Sequence, residues 1–237
     1  MFAITPQMMS NFLSSISKYI IILSIILFGV AGLLIVLLEN DYYQGISFKI
    51  MFIHVPTAWL SLLIFLSMGC SSIIGLIFKS PTSFTISRSL SPIGLIMSVI
   101  VLITGSIWGN LTWGTYWVWD ARITSTFVLL IQYIGILALK SSFNSKETAD
   151  QIVSIVAIIG AINIPIIKFS VEWWNTLHQS ASITFSGSSI DAEMLYALPL
   201  MILSFAFLAF FIFSRNIQIE ILSRNLNTKK VRELLNG

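Results

Sequence analysis

The chain has 237 residues, of which 56% are hydrophobic and 10% are charged. Soluble domains carry roughly 25% charged residues, and the mean hydropathy here is +0.91. These values exclude an ordinary soluble globule and a disordered chain. They also exclude a nucleic-acid-binding domain, because the net charge of +3 supplies no basic surface. The composition is that of an integral membrane protein.

Six apolar runs follow one another along the chain. At about 20 residues per transmembrane helix, the length permits six or seven spans and no separate soluble domain. We predict an all-α polytopic membrane protein with six transmembrane helices, forming one domain over residues 1–237, with a loop at about 108–122 and a tail at about 214–237. The runs lie at approximately 19–38, 50–78, 90–108, 122–139, 152–167 and 194–213.

The basic residues predict how the chain is oriented. With six spans, both termini lie on one side of the membrane, and the opposite side holds only Lys49, Arg122 and Lys168. Because cytoplasmic segments carry the excess of Lys and Arg, we predict that both termini are cytoplasmic. The side of the termini holds Lys18, Lys79, Arg88, Lys140, Lys146, Arg215, Arg224, Lys229, Lys230 and Arg232.

The tail combines basic residues with apolar ones at helical spacing. This pattern favours a helix lying on the membrane surface over a segment that docks on a partner. No Asp, Glu or Arg lies near the middle of any run. Ion-coupled transporters need such charges, so their absence argues against a secondary transporter.

The predicted external side is rich in tryptophan. An aromatic belt populates both membrane interfaces, so a belt alone explains this one-sided distribution poorly. In the third-to-fourth connection, Gly109 and Gly114 permit tight turns or the close approach of a flat ligand. An extended 117–119 segment would point two indoles the same way, whereas a helix would spread them around its axis. The seven tryptophans are Trp59, Trp108, Trp113, Trp117, Trp119, Trp173 and Trp174.

The two histidines, His54 and His178, lie on this same side, each near aromatic residues. Neutral imidazole binds iron, and a planar porphyrin takes axial ligands from opposite faces. The residues alone leave two interpretations open, a pair of ordinary polar side chains or a bis-histidine heme site. Arg122 either holds a heme propionate or pairs with Asp120 or lipid phosphate. Asp120 either caps the fourth helix or orients Arg122.

Three motifs make the chain recognisable. The stretch from Trp108-Gly109 through Trp113-Gly114 to Trp117-Val118-Trp119-Asp120-Ala121-Arg122 resembles the tryptophan-rich WWD motif of heme-handling membrane proteins. The motifs His54-Val55-Pro56-Thr57-Ala58-Trp59 and Trp174-Asn175-Thr176-Leu177-His178-Gln179 and the six-span layout narrow the match. Over essentially its whole length, the chain is similar to the heme exporter protein C (CcmC) family of system I cytochrome c maturation.

The resemblance implies that the protein holds heme b at the periplasmic face of a bacterial inner membrane; a mitochondrial inner membrane is also compatible. His54 and His178 would be the axial ligands, and Arg122 would contact the heme or its propionates. The resemblance also implies a heme platform made of Trp108, Gly109, Trp113, Gly114, Trp117, Val118, Trp119 and Asp120.

The resemblance further implies delivery of heme to the heme chaperone CcmE, in a complex with the ATPase CcmA, the membrane subunit CcmB and the small protein CcmD. The chain would be a handover protein and not an enzyme, because it has no nucleotide-binding motif and any ATP use would belong to a partner. Two alternatives are a subunit that passes heme through its helices and a transmembrane b-type electron carrier. The carrier is less favoured, because it needs histidines paired deep in a bundle.

Overall fold

The computed structural model describes residues 5–179, 182–184, 187–188 and 190–236. A 3₁₀ helix at Ile46–Ile50 leads into the second α-helix. Strands β1 (Ile183–Thr184) and β2 (Gly187–Ser188) form a short antiparallel hairpin. The α-helices are α1 (Pro6–Leu37), α2 (Met51–Phe78), α3 (Pro81–Trp113), α4 (Ala121–Ser141), α5 (Lys146–Gly160), α6 (Asn163–Trp173) and α7 (Met194–Asn236).

The six-span prediction is confirmed. Within the described ranges, six helical segments are long and apolar enough to cross a membrane, the second of them formed by the 3₁₀ helix with α2 and the fifth by α5 with α6. The chain is therefore an all-α, multi-pass membrane protein. The placement of both termini in the cytoplasm stays a prediction from the distribution of Lys and Arg.

Side-chain caps set where four of the helices begin. In each case a side-chain oxygen accepts a hydrogen bond from the backbone N–H three residues further along. Such a cap satisfies one of the N–H groups that the first turn of a helix leaves unpaired. The capping residues are Thr5 before α1, Ser80 before α3, Asp120 before α4 and Ser145 before α5.

The apolar run at 152–167, expected as one helix, is broken at Ala161–Ile162 into α5 and α6. Pro165 explains the break, because it has no N–H to offer the carbonyl of Ala161 four residues earlier. That carbonyl instead accepts the N–H of Ile164 at 3.1 Å. The Asn163 amide then donates to the Ser125 carbonyl of α4 at 2.8 Å, which fixes the start of α6 against α4.

The structure differs from the sequence-based expectation in two segments. The loop expected at about 108–122 is shorter, because α3 continues to Trp113 and only residues 114–120 are non-helical. The tail is not a separate helix on the membrane surface, because α7 runs unbroken from Met194 to Asn236. Glu220 and Arg224, which lie within this continuation, form ion pairs with other helices and thereby join it to the bundle.

The helices pack closely through small residues. Tyr133 on α4 is fully buried, and its hydroxyl donates to the Ser61 carbonyl of α2 at 2.6 Å. Its ring lies against Gly94 of α3, where an added Cβ would come within 2.1 Å of the ring. Between α1 and α7, the hydroxyl of Ser24 donates to the Ser204 carbonyl at 2.8 Å. Small side chains allow such close approach between helices that cross a membrane.

The spans alternate in direction, so their ends gather in two groups. We call one the histidine end: it contains the start of α2, the end of α3, the start of α4 and the end of α6. We call the other the ion-pair end: it contains the start of α3, the end of α4, the start of α5 and residues 214–225 of α7.

Candidate functional site

His54 lies one turn inside α2 and its imidazole packs against α3. Its Nδ1 is 3.0 Å from the hydroxyl oxygen of Thr104. The indole of Trp108 meets the ring edge to face, with centroids 5.8 Å apart. The ring also lies over Gly105, where an added Cβ would be 3.0 Å from His54 Cε1. Three residues within about one turn of α3 therefore hold this imidazole.

His178 lies in the irregular segment that follows α6. Its Nδ1 is 3.0 Å from the backbone carbonyl of Gln179, and its ring meets Trp113 with centroids 6.2 Å apart. The pKa of His178 is lowered from 6.5, mainly because burial disfavours the charged ring. The Gln179 bond opposes this shift, whereas the positive charge of Arg122 adds to it. At neutral pH this imidazole is therefore uncharged.

The hydrogen bond of His178 determines which of its ring nitrogens carries the proton. A carbonyl only accepts hydrogen bonds, so Nδ1 of His178 must carry the proton that bonds to Gln179. Its Nε2 then keeps a lone pair. The rings are also close enough that charge on one acts on the other, and both are within electrostatic range of Arg122. The histidine end thus brings together two imidazoles from separate elements.

Trp108 and Trp113 lie on the last turns of α3, one beside each histidine. Trp108 donates its indole N–H to the side-chain oxygen of Gln44 at 2.8 Å. Gly109 is buried, and an added Cβ there would be 3.2 Å from the Trp113 ring. Gly114 ends α3 with a φ of +75°, a conformation that favours glycine. These glycines let the chain turn directly beneath the Trp113 indole.

The loop after α3 is not helical, and two of its indoles contact each other. The rings of Trp117 and Trp119 are 5.3 Å apart at 73°, and Trp117 also meets Phe127 of α4. Trp119 is 75% exposed, whereas Val118 between them is half-buried. The indole N–H of Trp117 is buried and has no hydrogen-bond partner among the described residues. An unpaired buried donor is costly, so this group suits a ligand that accepts a hydrogen bond.

Asp120 and Arg122 take different partners at the start of α4. Oδ1 of Asp120 caps the helix by accepting the Ile123 N–H at 2.8 Å. Within the described chain, its buried Oδ2 has no hydrogen-bond partner. Arg122 bonds to α6, donating to the Ser170 hydroxyl at 3.0 Å and the Lys168 carbonyl at 3.3 Å. Asp120 therefore acts as the expected cap, while Arg122 joins two helices.

A cavity of about 570 Å³ opens beside this group, with Gln179, the partner of His178, among its lining residues. Trp108 lines it together with Gln44, Phe48, Met51 and Met194. Neither histidine is among its lining residues. The Trp108 indole therefore borders the cavity and contacts His54 as well.

Three residues of this site were not identified from the sequence: Thr104, Gly105 and Gln44. Thr104 and Gly105 lie in an apolar run of α3, where a single Thr or Gly resembles ordinary helix packing. Their signal is the spacing to Trp108, since residues three and four apart share a side of a helix. Gln44 lies in a loop 64 positions from its partner, and no local pattern indicates that pairing.

The described fold and site define a multi-pass membrane protein that carries two imidazoles and a tryptophan-rich loop at one end. A family model described as heme exporter protein C, CcmC, matches residues 2–232. The chain belongs to this family.

Curated relatives agree with the family match. The chain is 40% identical over 199 residues to heme exporter protein C of Bradyrhizobium diazoefficiens, covering 84% of this chain and 74% of the relative. It is 43% identical over 169 residues to heme exporter protein C of Escherichia coli, covering 71% and 68% respectively. It is also 45% identical over 169 residues, covering 71% and 72%, to a cytochrome c biosynthesis ccmC-like mitochondrial protein of Marchantia polymorpha. These names support a role in heme export for cytochrome c maturation.

Proposed function

We propose that this protein binds heme b at the histidine end, with Nε2 of His54 and Nε2 of His178 as the axial ligands. The observation that carries the proposal is the hydrogen bonding of the rings. Nδ1 of His54 contacts Thr104 Oγ1, and Nδ1 of His178 contacts the Gln179 carbonyl. Because Nδ1 is already used in each ring, Nε2 is the nitrogen that each ring offers to another partner. Iron is the partner that two such nitrogens suit.

The surrounding residues fit a flat, partly anionic ligand. Trp108, Trp113, Trp117 and Trp119 supply aromatic surface, and Gly109, Gly114 and Val118 keep the chain between them compact. Arg122 uses two of its N–H donors on α6, and the rest of the fork suits a heme propionate. The buried N–H of Trp117 is a second donor for such an oxygen. Asp120 holds the start of α4, from which Arg122 projects.

The two ligands are held differently, and this indicates the order of release. His54 is fixed on a helix and packed against α3. His178 lies in a loop segment, where its imidazole bonds to the carbonyl of the next residue and meets one indole, that of Trp113, among the described residues. Holding iron six-coordinate limits reaction with oxygen, so handover requires the exchange of one axial ligand. We propose that His178 is the ligand that leaves when the heme chaperone CcmE supplies its own histidine.

The family match supports a particular membrane setting and set of partners. We propose that the protein lies in a bacterial inner membrane, or in a mitochondrial inner membrane, with the histidine end facing outward. It acts as a handover component, with CcmA, CcmB and CcmD as partners and any ATP hydrolysis in CcmA. A b-type electron carrier fits less well, because both histidines lie at the same end of the bundle.

The test is the heme content and absorption spectrum of the purified chain, carrying an affinity tag without histidine. His54→Ala and His178→Ala should each lose the six-coordinate spectrum, and the double variant should lose bound heme. Asn216→Ala, which removes one hydrogen bond to the Ser89 carbonyl at the other end, should leave the spectrum unchanged. Unchanged heme content and spectrum in both histidine variants would overturn the proposal.

Heme delivery into sealed vesicles, with and without CcmA and CcmB, separates collection of heme from its translocation.

A further inference from the structure

Thr104 has one hydroxyl proton, and the helix already uses it. Its Oγ1 lies 2.7 Å from the Ile100 carbonyl and 3.3 Å from the Val101 carbonyl, both of which only accept hydrogen bonds. The proton therefore points into the backbone of α3. In the 3.0 Å hydrogen bond between His54 Nδ1 and Thr104 Oγ1, the histidine must therefore be the donor.

We infer that Thr104 is a positioning residue that fixes the tautomer of His54, with the proton on Nδ1 and the lone pair on Nε2. The inference rests on the proposed ligation of heme by His54. In the other tautomer, Nδ1 and Thr104 Oγ1 would face each other with no proton between them. Nε2 would then carry a hydrogen and could not bind iron.

The packing around the His54 imidazole holds the ring in place, so that its hydrogen bond to Thr104 can determine the tautomer. Gly105 leaves room for the imidazole directly on the α3 backbone, and Trp108 borders it one turn beyond Thr104. The ring is thus held by contact, while the hydroxyl determines which nitrogen faces away from α3. Partners of this kind behind a metal-binding histidine fix its tautomer and raise its basicity.

The second histidine obtains the same tautomer by a different route. His178 donates to a backbone carbonyl, which no side-chain substitution removes. The ring of His54 has a backbone partner, the carbonyl of Val101, and a side-chain partner, Thr104. Thr104 is the partner that a substitution can remove. Thr104→Val keeps the branched shape and removes the hydroxyl, whereas Thr104→Ser keeps the hydroxyl and removes a methyl group.

The first test uses the heme-free protein. The chain has two histidines, so nitrogen-15 NMR of histidine-labelled protein in lipid nanodiscs, with the His178→Ala variant for assignment, reports the tautomer of His54 directly. Wild type and Thr104→Ser should show a proton on Nδ1, and Thr104→Val should show a mixture or a proton on Nε2. A proton on Nε2 in wild type overturns the inference without any Thr104 variant.

The second test measures heme binding. Thr104→Val should weaken heme affinity about 10- to 100-fold, the usual effect of losing a partner behind a metal ligand, and Thr104→Ser should restore most of it. Thr85→Val is the matched control, because Thr85 also lies on α3 and donates to the carbonyl four residues earlier, but at the ion-pair end. It should leave heme affinity unchanged.

The outcomes separate the two proposals. If His54→Ala loses heme while Thr104→Val retains wild-type affinity and tautomer, this inference fails and the proposed function stands. If Thr104→Ser fails to rescue, Thr104 acts through packing, which also overturns the inference. If His54→Ala keeps the wild-type heme spectrum, the proposed ligation itself fails, and the heme-free NMR result still decides whether Thr104 fixes the tautomer.

Discussion

The two ends of the bundle are both rich in polar side chains, but they use them in opposite ways. At the ion-pair end, five charged groups from four helices bond to one another. At the histidine end, several polar atoms have no partner among the described residues or keep an unused lone pair. The ion pairs hold the helices together, whereas the polar groups of the histidine end are available to bind a ligand.

The ion-pair end is a closed cluster of three cations and two carboxylates. Asp150 on α5 contacts Arg88 at 2.9 Å and Arg224 at 2.8 Å. Glu220 on α7 contacts Lys140 of α4 at 2.9 Å, and its Oε1 lies 2.8 Å from Arg88 Nε. The last contact is electrostatic, because its angle does not suit a hydrogen bond. Burial is close to complete for Arg88, Asp150 and Glu220, so each charge depends on the others.

At the histidine end, some polar groups have no hydrogen-bond partner among the described residues. Nε2 of both imidazoles, the Trp117 N–H and Oδ2 of Asp120 all lie there. Buried polar groups are normally paired within the protein. Within the described chain, unpaired hydroxyls also occur at the ion-pair end, at Ser89 and Ser214, but the unpaired groups of the histidine end share that end with two imidazoles, and this combination indicates a ligand site. The comparison predicts that polar substitutions at the ion-pair end lower stability, while those at the histidine end lower heme affinity.

The largest expected effect is from Asp150→Asn. It leaves Arg88, Arg224 and Lys140 sharing the single carboxylate of Glu220 in a buried setting, and removing one partner of a buried pair costs about 3–5 kcal/mol. The free energy of unfolding in detergent should fall by that amount, while the folded fraction keeps its heme spectrum. The control is Glu147→Gln, one turn earlier on α5 and exposed, with an expected change within about 0.5 kcal/mol. Equal effects from both variants would show that the cluster is not stabilising.

Trp117→Phe should have the reverse profile. It removes an N–H that is unpaired in the described chain and keeps most of the aromatic contact with Trp119 and Phe127. The heme-free protein should be as stable as wild type, because no bond is lost. Heme affinity should fall about tenfold or more, as expected for one hydrogen bond to a charged group. Trp59→Phe, at an exposed indole on α2, should leave affinity unchanged. A stability loss with unchanged affinity would contradict the comparison.

The sequence predicts the two ends unequally. Six spans, the family, and the placement of His54, His178 and the tryptophan loop follow from hydropathy and motifs. The ion-pair cluster does not, because its members lie on four helices and no local pattern pairs residue 88 with 150 or 220. Thr104 is hidden for a related reason, since its role depends on a contact 50 positions away. The break before α6 could be predicted from the sequence, because Pro165 lacks an N–H and therefore interrupts the helix close to its own position.

Arg122→Lys should have a smaller, mixed effect. The guanidinium donates to both the Ser170 hydroxyl and the Lys168 carbonyl, which an ammonium cannot match with the same geometry. We expect a loss of about 1 kcal/mol in unfolding free energy, together with weaker heme binding. Ser170→Ala removes one of the same bonds and keeps the charge. If Arg122 also binds a propionate, Ser170→Ala should lower stability by a similar amount but heme affinity much less. Equal losses of affinity would assign Arg122 a purely structural role.

Lys140→Met should have the smallest effect, although Lys140 belongs to the same cluster as Asp150. Its side chain is 25% exposed, so its charge is partly solvated and its pairing with Glu220 is worth less than a buried contact. The substitution also leaves two cations facing two carboxylates, whereas Asp150→Asn leaves three cations facing one. We therefore expect a loss of under about 1 kcal/mol in the same unfolding assay. A loss as large as that of Asp150→Asn would mean that the cluster depends on each individual contact and not on its balance of charge.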